Sequence, residues 1–403
     1  MMTVNTLIYE PFTIDSAISY SKQIGIFEQD DTLVAQEIGD GNLNLVFRIQ
    51  NQQTNKSIIL KQALPYAKVV GSSWPLTLDR ARIESEALKR AYELVPEFTP
   101  RVYHSDQTLA VTVMDDLSHL QILRKGFIAG QVYPRLARDI GIYLAHTLFY
   151  HSDFGMNQQE KKKLTASFIN PELCKITEDL VFTDPFFDHD TNNIPAGLKE
   201  FVKTTLWDDN TLKREVATLK HIFLTKGETL LHGDLHSGSI FASPVETVVI
   251  DPEFAYFGPM GFDIGAFIAN ILLNYLSQEA HMDDEQARKE YQNYLLSVMI
   301  ETWNVFVVEF GALWQDHSQD AFMKVDGFLD DVLQRIFADT LGFAGCKMIR
   351  RMIGLSGVED VESIEDIELR LKVKRAAITL GKTLILNRST LSSMNELKKV
   401  VTQ

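Results

Sequence analysis

Near the N-terminus apolar and polar positions alternate, whereas further along the apolar positions recur at three- and four-residue spacing. LVAQEIGDGNLNLVFRIQ, residues 33–50, predicts a strand, a turn rich in Gly, Asp and Asn centred on 39–42, and a second strand with Leu45, Phe47 and Ile49 on one face. SIILKQAL (57–64) continues as a strand whose apolar run ends at Lys61. RARIESEALKRAYELV (80–95) places Ile83, Ala87, Leu88, Ala91 and Leu94 on one helical face. Strand patterns follow at TPRVYHSD and LAVTVMDD, and after Met114 the chain turns polar at Asp115 and Asp116. From 119 onward helical patterns dominate, with long segments around 131–152 and 194–226 and an apolar helix at 264–276. The expected fold class is therefore α+β. An N-terminal lobe, 1–114, carries an antiparallel sheet plus a helix, a hinge spans 115–118, and a large mainly helical lobe spans 119–403. GSSWPLT (71–77), between the Lys61 strand and the helix, reads as an exposed loop carrying Trp74.

Composition narrows the partners. The chain has 403 residues, 45% hydrophobic and 23% charged, ordinary values for a globular protein with a large core. Its formal net charge of −15 argues against nucleic acid and against anionic membrane, and requires a local basic site for any anionic substrate. Two cysteines, Cys174 and Cys346, form no disulfide or zinc pattern, which suits a reducing cytoplasm. The N-terminus lacks a basic segment followed by an apolar core, and no uninterrupted apolar run approaches membrane-spanning length. KKK at 161–163 reads as a solvated charge run.

The densest chemistry lies in LLHGDLHSGSI (230–240) and TVVIDPEFA (247–255). Asp234 follows an apolar pair and Gly233, so it is presented from a tight loop, where a carboxylate can orient a hydroxyl nucleophile and accept its proton. In an extended chain Asp251 and Glu253 share a face, an arrangement suited to a magnesium ion bridging the phosphates of ATP. Pro252 between them fits a strand end. Two acidic sites of this kind at strand-to-loop transitions suggest phosphotransfer. Asp263 is placed to cap the apolar helix that follows GPMG. In AGCKMIRRMIGL (344–355), Met348, Met352, Ile349 and Ile353 form an apolar stripe, leaving Lys347, Arg350 and Arg351 on the opposite face. From spacing alone that face is more often a solvated one, and Lys61 is equally a solvated strand end.

HGDLHSGSI together with IDPEFAYFGPMGFDIG closely resembles the methylthioribose kinases. These belong to the larger group with a bilobal protein-kinase-like fold that also holds aminoglycoside phosphotransferases and choline kinases. In that group an Asn generally follows the catalytic Asp by five residues; here Ser239 occupies the position, which leaves open whether one or two metal ions bind.

The resemblance implies a role for each site residue. Asp234 would be the catalytic residue that meets the acceptor, and Arg350 and Arg351 would reach the sugar and the transferring phosphate. Nucleotide binding would fall to Asn44, Lys61, the hinge residues Asp115, Asp116 and Leu117, and Asp251, Pro252 and Glu253. Asp251 and Glu253 would also be the metal ligands. Glu84 and Glu86 project about 200° apart on a helix, so at most one faces Lys61; the local pattern resembles the corresponding aminoglycoside phosphotransferase helix and favours Glu86. Asp263 and His232 would brace the catalytic loop, His236 is left undecided, and Trp74 would lie in a lid. The implied activity is ATP- and magnesium-dependent phosphorylation of 5-methylthioribose at its 1-hydroxyl, in methionine salvage, by a cytoplasmic homodimer. A kinase for an aminoglycoside, choline or homoserine, and a nucleotide-binding module without catalysis, stay open as alternatives.

Overall fold

The computed structural model describes residues 9–38, 43–67 and 71–403, with the side chains of 67 and 71–74 also outside the description. The turn expected at 39–42 and the side chain of Trp74 thus lie outside the described residues. The chain divides into two compact units. Unit 1 comprises residues 1–119 together with Ile250–Phe254, and unit 2 comprises Leu120–Val249 and Ala255–Gln403.

Unit 1 is a five-stranded antiparallel sheet. Its strands are β1 (Leu33–Glu37), β2 (Asn44–Asn51), β3 (Ser57–Ala63), β6 (Val102–Asp106) and β7 (Val111–Asp115), in the order β1-β2-β3-β7-β6. Period-two alternation places Phe47, Ile49, Ile58, Leu60, Val111 and Val113 in one cluster with Ala17 and Tyr20 of helix α1 (Ile14–Gln23). The same alternation turns Lys61, next to Leu60, to the other face. There helix α2 (Arg80–Leu94) packs, and Ala63 meets Ala81. The stretch expected as an exposed loop around Trp74 is instead strand β5 (Gly71–Pro75), paired with β4 (Tyr66–Ala67).

Unit 2 is mainly helical. Small strand pairs join β8 (Gln121–Ile122), β10 (Ile240–Ser243) and β11 (Glu246–Val249), and β9 (Thr229–Leu230) with β12 (Phe257–Gly258). The helices are α3 (Leu123–Ile128), α4 (Leu136–Tyr150), α5 (Gln158–Ser167), α6 (Pro171–Leu180), α7 (Lys199–Val202), α8 (Asn210–Thr225), α9 (Gly261–His281), α10 (Glu285–His317), α11 (Phe328–Ile353), α12 (Glu359–Glu362), α13 (Ile367–Asn387) and α14 (Met394–Val401). The segment expected as one helix over 194–226 is broken by a π-helical stretch at Lys203–Trp207 before α8 begins. Among the described residues α10 alone is long and apolar enough to cross a membrane, a feature that scanning for uninterrupted apolar runs missed. It packs along α4 and α9 and buries Leu295, Met299, Phe306 and Phe310, the behaviour of a core helix.

Close packing of α9 on α11 matters for the site. A Cβ at Gly261 would lie 2.7 Å from the Thr340 backbone nitrogen, and one at Gly265 would lie 2.6 Å from the Thr340 carbonyl oxygen. Only glycine at both positions allows the two helices to approach this closely. The glycines of GPMGFDIG therefore bring Phe262 under Lys347, whose Nζ sits 4.7 Å from the ring centre.

Candidate active site

In unit 1 the central group is Lys61. Its Nζ donates to Glu84 Oε1 at 2.7 Å and also to Asp251 Oδ1. The α2 carboxylate that meets Lys61 is thus Glu84, not Glu86, which is half exposed and paired with Lys89 at 2.9 Å. Helical phase explains the correction. Arg80, Glu84, Ala87, Leu88 and Ala91 lie along one buried stripe of α2, whereas Glu86 falls outside it.

Arg80, which the sequence reading did not single out, is the second anchor. It is 0% exposed, and its guanidinium donates to Glu253 Oε2 at 2.8 Å and to the Leu64 carbonyl at 2.8 Å. Asn44 Nδ2 donates to the same carboxylate oxygen at 3.4 Å. Asp251 and Glu253 do not share the face of an extended strand. β11 ends at Val249, and Asp251 has φ of 69°, a left-handed conformation that Asp tolerates better than most residues. The kink sends Asp251 to Lys61, Glu253 reaches Arg80, and buried Pro252 lies between them.

This cluster holds three carboxylates, Glu84, Asp251 and Glu253, against two cations, Lys61 and Arg80. Burial raises the Glu84 carboxyl to about 7, and Asp251 and Glu253 add to the rise against the pull of Lys61. Burial opposes the Lys61 charge, but the carboxylates outweigh it and hold the amine protonated.

The residues expected to form a hinge are tied down by their side chains. Asp115 accepts from the Arg101 amide at 2.7 Å and from the Tyr103 hydroxyl, and its own amide donates to the Arg101 carbonyl at 3.1 Å. Asp116 accepts from Arg48 Nε at 2.6 Å and from the Ser118 amide at 2.9 Å. The Asp115 amide, expected among the nucleotide-binding groups, is thus engaged within the sheet.

In unit 2 the central group is Asp234, in the loop after β9. Asp263 does not cap α9, where no side-chain cap forms at Met260; it lies in the first turn and accepts from the amides of His232 at 2.7 Å and Gly233 at 3.0 Å. Gly233 has φ of +84°, and this turn presents the Asp234 carboxylate. The Asp234 amide donates to His232 Nδ1 at 3.2 Å, so His232 also braces the loop. Ser239 is 1% exposed and donates to the Asp234 carbonyl at 3.2 Å, which makes it a loop fastener.

Lys347 is the group that meets the Asp234 side chain, with Nζ 2.9 Å from Oδ1. It was expected on the cationic face of its helix, yet it is 8% exposed. Arg350 and Arg351 make no hydrogen bond to Asp234. Their guanidinium groups donate to the carbonyls of Ser356 at 3.2 Å and Gly357 at 3.4 Å, closing the turn after α11. Burial alone would raise the Asp234 carboxyl, but Lys347, His236 and Arg351 outweigh it and hold it well below the usual carboxylate range. Burial likewise lowers Lys347, against the attraction of Asp234.

The model of the phosphotransferase enzyme family (APH) matches residues 34–294 of this chain. Methylthioribose kinase of Geobacillus sp. (strain WCH70) is 56% identical over 396 residues, covering 98% of this chain and 96% of that protein. The methylthioribose kinase of Geobacillus thermodenitrificans (strain NG80-2) is 54% identical, covering 99% and 98%. That of Bacillus cereus (strain ATCC 14579) is 52% identical, covering 94% and 93%.

Proposed function

We propose that this chain, which belongs to the phosphotransferase enzyme family and within it to the methylthioribose kinases, transfers the γ-phosphate of ATP to the 1-hydroxyl of 5-methylthioribose. The chain is a kinase of a small sugar, and the product would be the 1-phosphate used in methionine salvage. The observation that carries the assignment of roles is the Asp234 carboxylate, braced through its loop by Asp263 and held ionised beside Lys347. An ionised carboxylate at this position orients the sugar hydroxyl and takes its proton as the phosphoryl group leaves ATP. Lys347, with Arg350 and Arg351, supplies positive charge for the developing phosphate ester. The same charge disfavours a cationic acceptor such as choline or an aminoglycoside.

Unit 1 supplies the nucleotide residues. Lys61 contacts phosphate, Glu84 and Asp251 hold Lys61 in place, and Asp116 and Leu117 present backbone groups to adenine. The donor set fits magnesium. The Asp251 side chain is 37% exposed, and the cluster carries one more carboxylate than cations. Magnesium is commonly held by one or two carboxylates plus nucleotide phosphates. Asp251 is the carboxylate available to it, while Glu253 acts mainly through charge because its Oε2 is engaged by Arg80 and Asn44. Bound there, the ion would neutralise phosphate charge and help orient the γ-phosphate. A cytoplasmic homodimer completes the reading on resemblance alone, and light scattering at twice 45.7 kDa is the expected result.

The decisive measurement is turnover of 5-methylthioribose with ATP by Asp234→Asn. The variant is expected to fold and bind ATP while kcat falls by about 10²- to 10⁴-fold. Wild-type turnover by that variant would remove Asp234 from the chemistry. Equal turnover of ribose, choline and kanamycin by the wild type would remove the acceptor assignment.

A further inference from the structure

A third arginine lies against the Asp234 loop of unit 2, and it comes from a different element than Arg350 and Arg351. Arg124 sits in the first turn of α3, and its amide donates to the Ser237 carbonyl at 3.0 Å, tying it to the loop just beyond Asp234. A Cβ at Gly238 would lie 2.9 Å from Arg124 Nη1 and 2.9 Å from His236 Cε1, so glycine leaves room for the guanidinium to rest on the loop beside the imidazole.

The guanidinium is short of acceptors. Its Nε and Nη2 are buried and find no hydrogen-bond partner among the described residues. Charge balance comes from Asp360, whose Oδ2 lies 3.6 Å from Nε, an ion pair without a hydrogen bond. Asp360 is 1% exposed and is fixed from α9. Asn274 Nδ2 donates to its Oδ1 at 2.7 Å, Gln278 Nε2 donates to Asn274 Oδ1 at 3.0 Å, and His281 Nε2 lies 2.7 Å from the Asp360 carbonyl oxygen. These polar residues share one side of an otherwise apolar helix, where burial is costly unless such bonds are made. With its Nε edge turned to Asp360, Arg124 keeps its Nη1 end against the Asp234 loop.

One short segment therefore aims three guanidinium groups. Arg350 donates to the Ser356 carbonyl, Arg351 donates to the Gly357 carbonyl, and Asp360 faces Arg124. Burial lowers both Arg350 and Arg351, and the charge of Arg124 adds to the fall against the attraction of Asp234. With Lys347, four cations stand against the two carboxylates Asp234 and Asp360. Arginines brought together with donors unfilled suit a phosphate, whose oxygens accept from several forks at once.

We propose that Arg124, oriented by Asp360, is the third arm of an anion site with Arg350 and Arg351 that binds the phosphate of the sugar product, 5-methylthioribose 1-phosphate. The inference rests on the function proposed above. It competes with a purely structural role in which Arg124 only balances the buried charge of Asp360.

Titration calorimetry with 5-methylthioribose and, separately, with its 1-phosphate distinguishes these roles, because only the product carries the anion. Arg124→Met alone would leave Asp360 buried without its charge partner, so it is combined with Asp360→Asn, which keeps an acceptor for Asn274. The double variant is expected to bind the 1-phosphate about 10- to 100-fold more weakly, the range for losing hydrogen bonds to a charged group, with affinity for 5-methylthioribose within about 3-fold of wild type. Arg124→Lys, which keeps the charge without the fork, is expected to lose less than the double variant. A 1-phosphate affinity within about 2-fold of wild type in the double variant, or equal losses for the sugar and its phosphate, overturns the proposal. Wild-type turnover of 5-methylthioribose with ATP, measured in parallel, keeps the two levels apart. With that turnover present, either result removes only the role of Arg124, whereas its absence removes the function beneath it as well.

Discussion

The charged clusters of unit 1 and unit 2, each taken by itself, use the same residue types with opposite charge balance. In unit 1 three carboxylates surround two cations, and the most buried carboxyl, Glu84, is pushed up to about 7. In unit 2 Asp234 is also buried, yet Lys347, His236 and Arg351 hold it well below the usual range. Burial acts in the same direction on both groups. What differs is the number of compensating charges, and the sign of the net excess says what each cluster attracts. The anionic cluster attracts a cation, the part proposed above for magnesium. The cationic cluster attracts an anion, the part proposed above for the transferring phosphoryl group.

The comparison can be broken at several points. The largest effect is expected on stability, from Arg80→Met. It would leave Glu253 buried without its ion-pair partner, and chemical denaturation should show a loss of about 3–5 kcal/mol. A loss below about 1 kcal/mol would mean that Glu253 finds water or another partner. Next is Lys347→Met, which removes the charge-assisted bond to Asp234. A fall in kcat of about 10- to 100-fold is expected, and Lys347→Arg should recover part of it. An unchanged kcat in the Met variant would show that the cationic excess of unit 2 does not serve the chemistry.

Smaller effects sharpen the contrast. Glu84→Gln mimics the protonated carboxyl, so its ATP affinity should match wild type at about pH 6, below the Glu84 transition near 7. Above that transition wild-type Glu84 ionises and competes for Lys61, and the two affinities should separate by a few-fold at about pH 8.5. Calorimetric titration at both pH values reads this directly, and a separation present equally at both would contradict the raised carboxyl. Glu86→Gln should change KM for ATP by less than about 2-fold, since an exposed i,i+3 pair contributes little.

Parts of this site were legible from local pattern. The strand alternation through Leu60 and Lys61, the turn at Gly233 and the helical stripe of α2 all depend on residues close in the chain. The stripe even contained the answer for Lys61, because Glu84 shares phase with Ile83, Ala87 and Leu88 while Glu86 does not. Preference for Glu86 came from resemblance overriding phase. Arg80 was equally in phase, but a charged residue at a helix start suggests solvent unless its partners are known. Asp251 and Glu253 were misplaced because an extended chain was assumed through a residue that adopts a left-handed conformation. The strand at Gly71–Pro75 was missed because its partner is only two residues long.

By itself the sequence determined the α+β class, the antiparallel N-terminal sheet with its helix, the helical character of the remainder and the identity of Asp234, Lys61 and Asp251 as candidates. These follow from periodicity and from motifs carried within short segments, where each residue's neighbours are also its sequence neighbours. Tertiary structure alone decided which charges meet. Lys347 lies 113 residues from Asp234 and Arg80 lies 173 residues from Glu253. Contacts over such separations depend on how whole elements pack, as Gly261 and Gly265 do for α9 on α11, and no local pattern encodes that distance.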